Sequence, residues 1–205
     1  MAKKTAGGKY HVKLTFVEPL LGTVPKDPKV FETYIAGLSP NVEETLGEEL
    51  ETVPKASEEE KRWTGFHTTE DGKPFLYDYA IKGFFKDCCS MLSRATGTES
   101  GELKAFKKVI DGLVFVRPRK IPIVLAGELF RLERPLRAQT AQGERVALSR
   151  SDAAPIGSSI EFDVNILGGV SEVLLSEWLD YGANRGIGQW RNGGYGSFEY
   201  ELVKL

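Results

Sequence analysis

Three stretches of two-residue alternation constrain this chain more than anything else in it. Tyr10, Val12, Leu14 and Phe16 alternate with His11, Lys13 and Thr15. Ile160, Phe162, Val164 and Ile166 alternate with Glu161, Asp163 and Asn165, and Phe198, Tyr200 and Leu202 with Glu199, Glu201 and Val203. Such a period marks a half-buried strand, apolar on one face and wet on the other. Two helical patterns lie between them. Ile81, Phe84, Phe85, Cys88, Met91 and Leu92 recur at three- and four-residue spacings, predicting a helix over 79–95 with Asp78 as its cap and Gly97 past its end. Ser171 is placed to cap a second helix with Val173, Leu174, Leu175, Trp178 and Leu179 on its buried side. The apolar run 112–116 reads as a strand, and Pro118 and Pro122 put the segment after it at a sheet edge.

The resulting order is strand, helix, strand, then strand, helix, strand. It predicts an α+β fold, a ferredoxin-like (split βαβ, RRM-like) antiparallel sheet with two helices on one face. Right-handed crossovers would place the first and third strands side by side in the middle. Two large insertions interrupt the order, at about 18–78 and 131–158, and the chain, 1–205, is read as a single domain. The first insertion is irregular, with a short helix expected near 41–52 capped by Asn41 or Ser39. The second contains short strands at 121–125 and 128–132 and a hairpin arm over 140–151, around Gly143.

Several function classes are set aside. No window approaches the roughly 20 apolar residues a membrane span needs, and no apolar stretch follows Lys3 and Lys4. The cysteines, Cys88 and Cys89, are adjacent, which excludes a disulfide framework and favours a reducing, cytoplasmic setting. There is no Walker loop, HExxH or GxSxG, so neither a metal nor a cofactor is expected.

The net charge is −2, yet its distribution is uneven. Residues 41–60 hold eight acids and one base, Lys55. Residues 117–150 hold eight bases, all arginine but Lys120, against Glu128, Glu133 and Glu144. A phosphate backbone responds to the local patch rather than to the total. Arg134, Arg137 and Arg145 in this arm suit phosphate and base-edge contacts, and an exposed hairpin pairing with a neighbouring subunit or with the chain's own acidic segment fits the residues equally.

The stretch 186–196 carries the most information. Gly186, Gly188, Gly193, Gly194 and Gly196 fall between the second helix and the last strand, with Arg185, Arg191, Trp190 and Tyr195 among them. Glycine lets a backbone approach a ligand, and a run of free amides makes an anion-binding concavity. The arginines add charge and the aromatic rings offer stacking surfaces. A turn that uses glycine for its geometry alone would look the same.

A glycine-rich loop before the last strand of such a fold resembles the RAMP superfamily of CRISPR-associated RNA-binding proteins, nearest to their backbone-forming subunits. Ile81-Lys82-Gly83-Phe84-Phe85-Lys86 is similar to the family's helix-opening stretch, and Arg145–Arg150 before the 160–166 strand to its arginine-containing arm. Tyr79-Ala80-Ile81 stand where the family usually has Gly or Ser, and the acidic 41–60 segment has no counterpart. The chain also resembles small proteins of bacteriophage genomes. The RAMP resemblance implies non-catalytic binding of single-stranded RNA or another phosphate-bearing oligonucleotide, along the sheet or the glycine loop, with Lys82, Lys86, Arg185 and Arg191 on phosphates. Two other readings stay open. Some relatives cut RNA with a histidine, and His67, in a polar loop, is the better placed of the two histidines for a metal-independent ribonuclease. An assembly or inhibitor protein, acting as a homo-oligomer or on a protein partner, could use the acidic insertion instead.

Overall fold

The computed structural model describes residues 7–36, 49–54, 56–140, 143–168 and 170–205. Strand β1 (Lys9–Phe16) is followed by short strands β2 (Leu20–Leu21) and β3 (Val24–Pro25) and helix α1 (Pro28–Ala36). Strands β4 (Thr64–Gly65), β5 (His67–Thr68) and β6 (Pro74–Tyr77) lead into helix α2 (Asp78–Leu92). A single turn α3 (Glu99–Glu102) and helix α4 (Phe106–Leu113) precede β7 (Val114–Arg117) and β8 (Lys120–Val124). A long hairpin, β9 (Phe130–Thr140) with β10 (Gly143–Ala154), comes before β11 (Ser159–Ile166), α5 (Glu172–Arg185) and β12 (Phe198–Lys204).

The fold is α+β with a ferredoxin-like antiparallel sheet. β1 lies between β12 and β11, with Val12 opposite both Leu202 and Phe162. β7 and β8 pair with successive parts of β11, Val114 opposite Ile166 and Ile123 opposite Ile160, with a cis Arg117–Pro118 bond between the two strands. β6 and β5 extend the sheet beyond β8. The first and third core strands are therefore central, as the right-handed crossover rule requires. The alternating apolar residues of β1 and β11 turn to the helices and are buried. Ile81, Phe84, Phe85 and Cys88 of α2 and Leu174, Leu175, Trp178 and Leu179 of α5 close the core over them. Burying each large apolar side chain contributes roughly 1.5–3 kcal/mol. The helices cross closely: the Phe85 and Trp178 ring centroids are 5.5 Å apart, and a Cβ on Gly182 would fall 2.1 Å from Phe84 Cζ.

Four local expectations are corrected. Val173 is 60% exposed, because the buried face of α5 runs through positions 174, 175, 178, 179 and 182, one residue further round the helix. Gly112 and Leu113 end α4 rather than open a strand; the Val114 amide still bonds Ile110 O, so the strand starts there. Tyr77, not Asp78, holds the N-cap position of α2, and Asp78 Oδ1 accepts only the Tyr79 amide, at 3.0 Å. The first insertion contains a helix the prolines concealed, α1, where Asp27 accepts the Lys29 amide at 2.9 Å and Pro28 takes the first position. The expected 41–52 helix lies largely outside the described residues, as do Ser39 and Asn41; 49–51 are helical. Ser171 caps α5 as expected, its hydroxyl accepting the Leu174 amide at 3.2 Å.

Candidate nucleic-acid interface

The glycine-rich loop is closed at its base by its own backbone. After α5 ends, the Ile187 amide donates to Gly196 O at 3.0 Å, and the Gly196 amide donates to Pro19 O at 3.0 Å. At Gly196 a Cβ would lie 1.9 Å from Ile187 O, with φ +69°, so no side chain fits. Gly186, also at positive φ, faces Tyr195 O and Gly196 just as closely. The amides of Gly186, Ile187, Gly193, Gly194 and Gly196 all donate to protein carbonyls. The expected run of free amides is therefore absent at these positions. The glycines supply close approach, and any charge offered to a ligand comes from side chains.

Those side chains converge. Beyond the crossed base the chain makes a 3-10 turn, Arg191–Gly193, preceded by Trp190 at φ 56°. Left-handed backbone is costly for a bulky residue, about 1–2 kcal/mol, and such outliers concentrate where a side chain must be aimed. Trp190 lines an open cleft of about 650 Å³ with Arg134, Arg185, Arg191 and Asn192. The cleft lies between the loop and β9. The Arg134 guanidinium stands 5.6 Å from the Trp190 ring centroid and 5.1 Å from that of Tyr195. The two rings meet edge to face at 6.0 Å. Asp87 of α2 holds both other arginines through one oxygen, Arg191 at 2.6 Å and Arg185 Nε at 3.2 Å. Arg185 also donates to Asn192 Oδ1. Three guanidiniums thus face one carboxylate, leaving the cleft net positive with its forks pre-set. From sequence alone Asp87 stands out only as an isolated acid with no metal-ligand spacing around it; its role as shared counter-ion needs the α2–loop contact, which no local pattern carries.

The sequence-predicted residues divide between places. Arg134, Arg185, Gly188, Trp190, Arg191 and Gly193 line the cleft, and Tyr195 stands behind it against Arg134. Gly194 takes φ +86° with open space around it, and Gly188 passes 2.6 Å (Cβ position) from Leu21 O. Lys82 and Lys86 belong to another surface, where Lys86 pairs with Asp111 and Lys82 Nζ lies 5.4 Å over Phe115. Arg137 is exposed, and strand alternation puts it on the arm's other face from Arg134. Arg145 sits opposite Ala138 in the hairpin; its side chain lies outside the described residues.

His67 is enclosed, 5% exposed, against Phe31, Phe75 and Tyr77. Its Nδ1 lies 2.9 Å from Thr52 Oγ1, whose single proton goes to Glu49 O at 2.8 Å. The ring therefore donates from Nδ1. Burial, with Lys120 nearby, pulls its pKa down to about 4. Among the described residues no three His, Cys, Asp or Glu come together as a metal site, and no helix is long and apolar enough to cross a membrane.

The open face of the sheet has the wrong sign for a polyanion. Glu161, Asp163, Glu199 and Glu201 are exposed there. His11 Nδ1 meets Asp163 at 2.8 Å and Lys13 meets Glu161 at 3.4 Å, leaving acids in excess.

No family model matches this sequence, and no curated protein matches it. Among solved structures, a chain of the Type III-B Cmr-beta bound to cognate target RNA, determined by cryo-EM, is similar, with a TM-score of 0.53 at 13% identity. The match covers 97% of this chain, which spans 61% of the other's length.

Proposed function

We propose that this chain binds single-stranded RNA, or another phosphate-bearing oligonucleotide, in the cleft between the glycine loop and β9, without cutting it. In this reading it is a single RAMP-like domain over 1–205, with insertions at about 18–78 and 131–158. The observation that carries the reading is the convergence of Arg134, Arg185 and Arg191 beside the Trp190 indole. Guanidinium forks match phosphate geometry, and an indole offers a stacking surface to a base of any identity. A single strand can present both groups at once; in a duplex the bases are already stacked. The likeness to a chain of an RNA-bound assembly supports the same class of ligand. The acidic sheet face turns the strand away from the sheet and toward the cleft. The enclosed, neutral His67 supports binding over cleavage.

Fluorescence anisotropy with a labelled single-stranded RNA tests this. Trp190→Ala should weaken binding by about 1–3 kcal/mol, the usual worth of one stacked base. Arg191→Ala should weaken it and flatten the salt dependence by about 0.7 in slope. Lys82→Ala, remote from the cleft, should leave both unchanged. Equal affinity in all three variants would remove the cleft from the mechanism.

A further inference from the structure

The opposite face of the arm carries a second grouping of arginine and tryptophan. Alternation along β9 turns Arg131 and Glu133 away from the Arg134 face. Their cross-strand partners on β10 are Asp152 and Arg150. Here the Trp63 ring has two guanidiniums near it, Arg131 at 5.0 Å and Arg150 at 5.6 Å from the centroid. A hollow of about 580 Å³ opens beside them. Arg150 Nε also donates to Glu133 at 2.6 Å. Arg131 donates to Oε1 of Glu60, from the acidic insertion, and the other Glu60 oxygen accepts the Ser57 amide at 3.0 Å. The neighbouring Glu58 is taken by Lys61 at 2.5 Å.

A carboxylate and a phosphate are alternative ligands for the same arginine fork. The Glu60 side chain is 23% exposed although the Arg131 it meets is 57% exposed, so the acid is the enclosed member of the pair. An indole beside such a fork is the same pairing of parts as in the cleft across the arm. Arg131 and Arg134 are three residues apart on one strand, roughly 10 Å, so a strand leaving the cleft passes this hollow within a few nucleotides.

We infer that Trp63, Arg131 and Arg150 form a second nucleotide subsite for single-stranded nucleic acid, and that the Glu60 carboxylate occupies its phosphate position. A bound strand displaces the acidic turn 57–60, which otherwise holds the subsite closed. The inference takes its ligand class from the cleft reading; its residues are separate.

Glu60→Gln keeps the side chain's size and removes the competing charge. In anisotropy titrations with labelled single-stranded RNA it should bind roughly two- to five-fold tighter than wild type, the range set by one exposed ion pair. Its salt dependence should steepen by about 0.7 in slope as one more phosphate is held. Trp63→Ala in the Glu60→Gln background should cancel both gains, and Arg131→Ala repeats that arm should the tryptophan variant melt early. Unchanged binding in Glu60→Gln, or a gain that survives both second substitutions, overturns the subsite. Arg191→Ala run alongside separates the two sites: an unaffected Arg191→Ala sinks the cleft, while the Glu60 comparison still decides the subsite. No binding by any variant overturns both.

Discussion

Replacing His67 with phenylalanine should remove a defined piece of the protein's acid sensitivity. In the folded chain the ring is packed among Phe31, Phe75 and Tyr77, and it is protonated only near pH 4, chiefly because burial disfavours the charged form. In the unfolded chain it takes a proton near 6.5. Between those values the unfolded state binds the extra proton, so stability is full above about pH 6.5 and falls as pH drops toward 4. At about 1.4 kcal/mol per pH unit the interval amounts to about 3 kcal/mol, a large share of the roughly 5–15 kcal/mol that holds a domain folded. Urea unfolding at a series of pH values between 7.5 and 4.5 reads this directly. Wild type should lose stability across that range more steeply than His67→Phe. Comparing slopes cancels both the carboxylates common to the two proteins and any packing cost of the larger ring. Parallel slopes, or a His67 ring resonance titrating near 6.5 by NMR, would refute the reasoning, since either means that the imidazole reaches water.

Two further outcomes concern the scaffold of the cleft and the arm. Gly196→Ala should destabilise the protein by about 1–3 kcal/mol, because the new Cβ meets Ile187 O at positive φ; a melting temperature equal to wild type would mean the crossed loop base is not held as described. Lys26→Met should cost about 3 kcal/mol by leaving Asp152 without its partner at 2.7 Å in an enclosed setting, and denaturant unfolding checks it; a neutral result would mean that water reaches that pair.

The core strands and the two main helices were legible because their patterns are local. Alternation in 10–16 and 160–166 follows from a sheet covered on one face, and the spacing of Ile81, Phe84, Phe85 and Cys88 from a helix lying on it. α4 escaped because Gly112 and the apolar run beginning at Leu113 make the helix end look like a strand start. α1 escaped although Asp27-Pro28 is a helix-opening pair, since six prolines in the insertion suggested an irregular chain. The loop's arginines and rings were visible as residues; their purpose depended on what faces them. Arg134 reaches Trp190 only through the long-range placement of β9, and Asp87 reaches Arg185 and Arg191 only through the packing of α2 beside the loop. Lys82 and Lys86 share a helix with Asp87, yet they point to Asp111 and Phe115 instead, which helical phase alone does not decide. The backbone amides were misjudged because hydrogen bonding between distant carbonyls and loop glycines leaves no trace in sequence.

Photo-crosslinking of a thiouridine-labelled single-stranded RNA to the wild-type chain, with the modified peptides identified by mass spectrometry, addresses the binding surface itself. Adducts should concentrate on Trp190, Tyr195 and the β9 segment around Arg134, and fall away with excess unlabelled strand. Adducts centred instead on the sheet face around Glu161 and Glu201, or none above those of an unrelated protein, would contradict the assignment of the cleft.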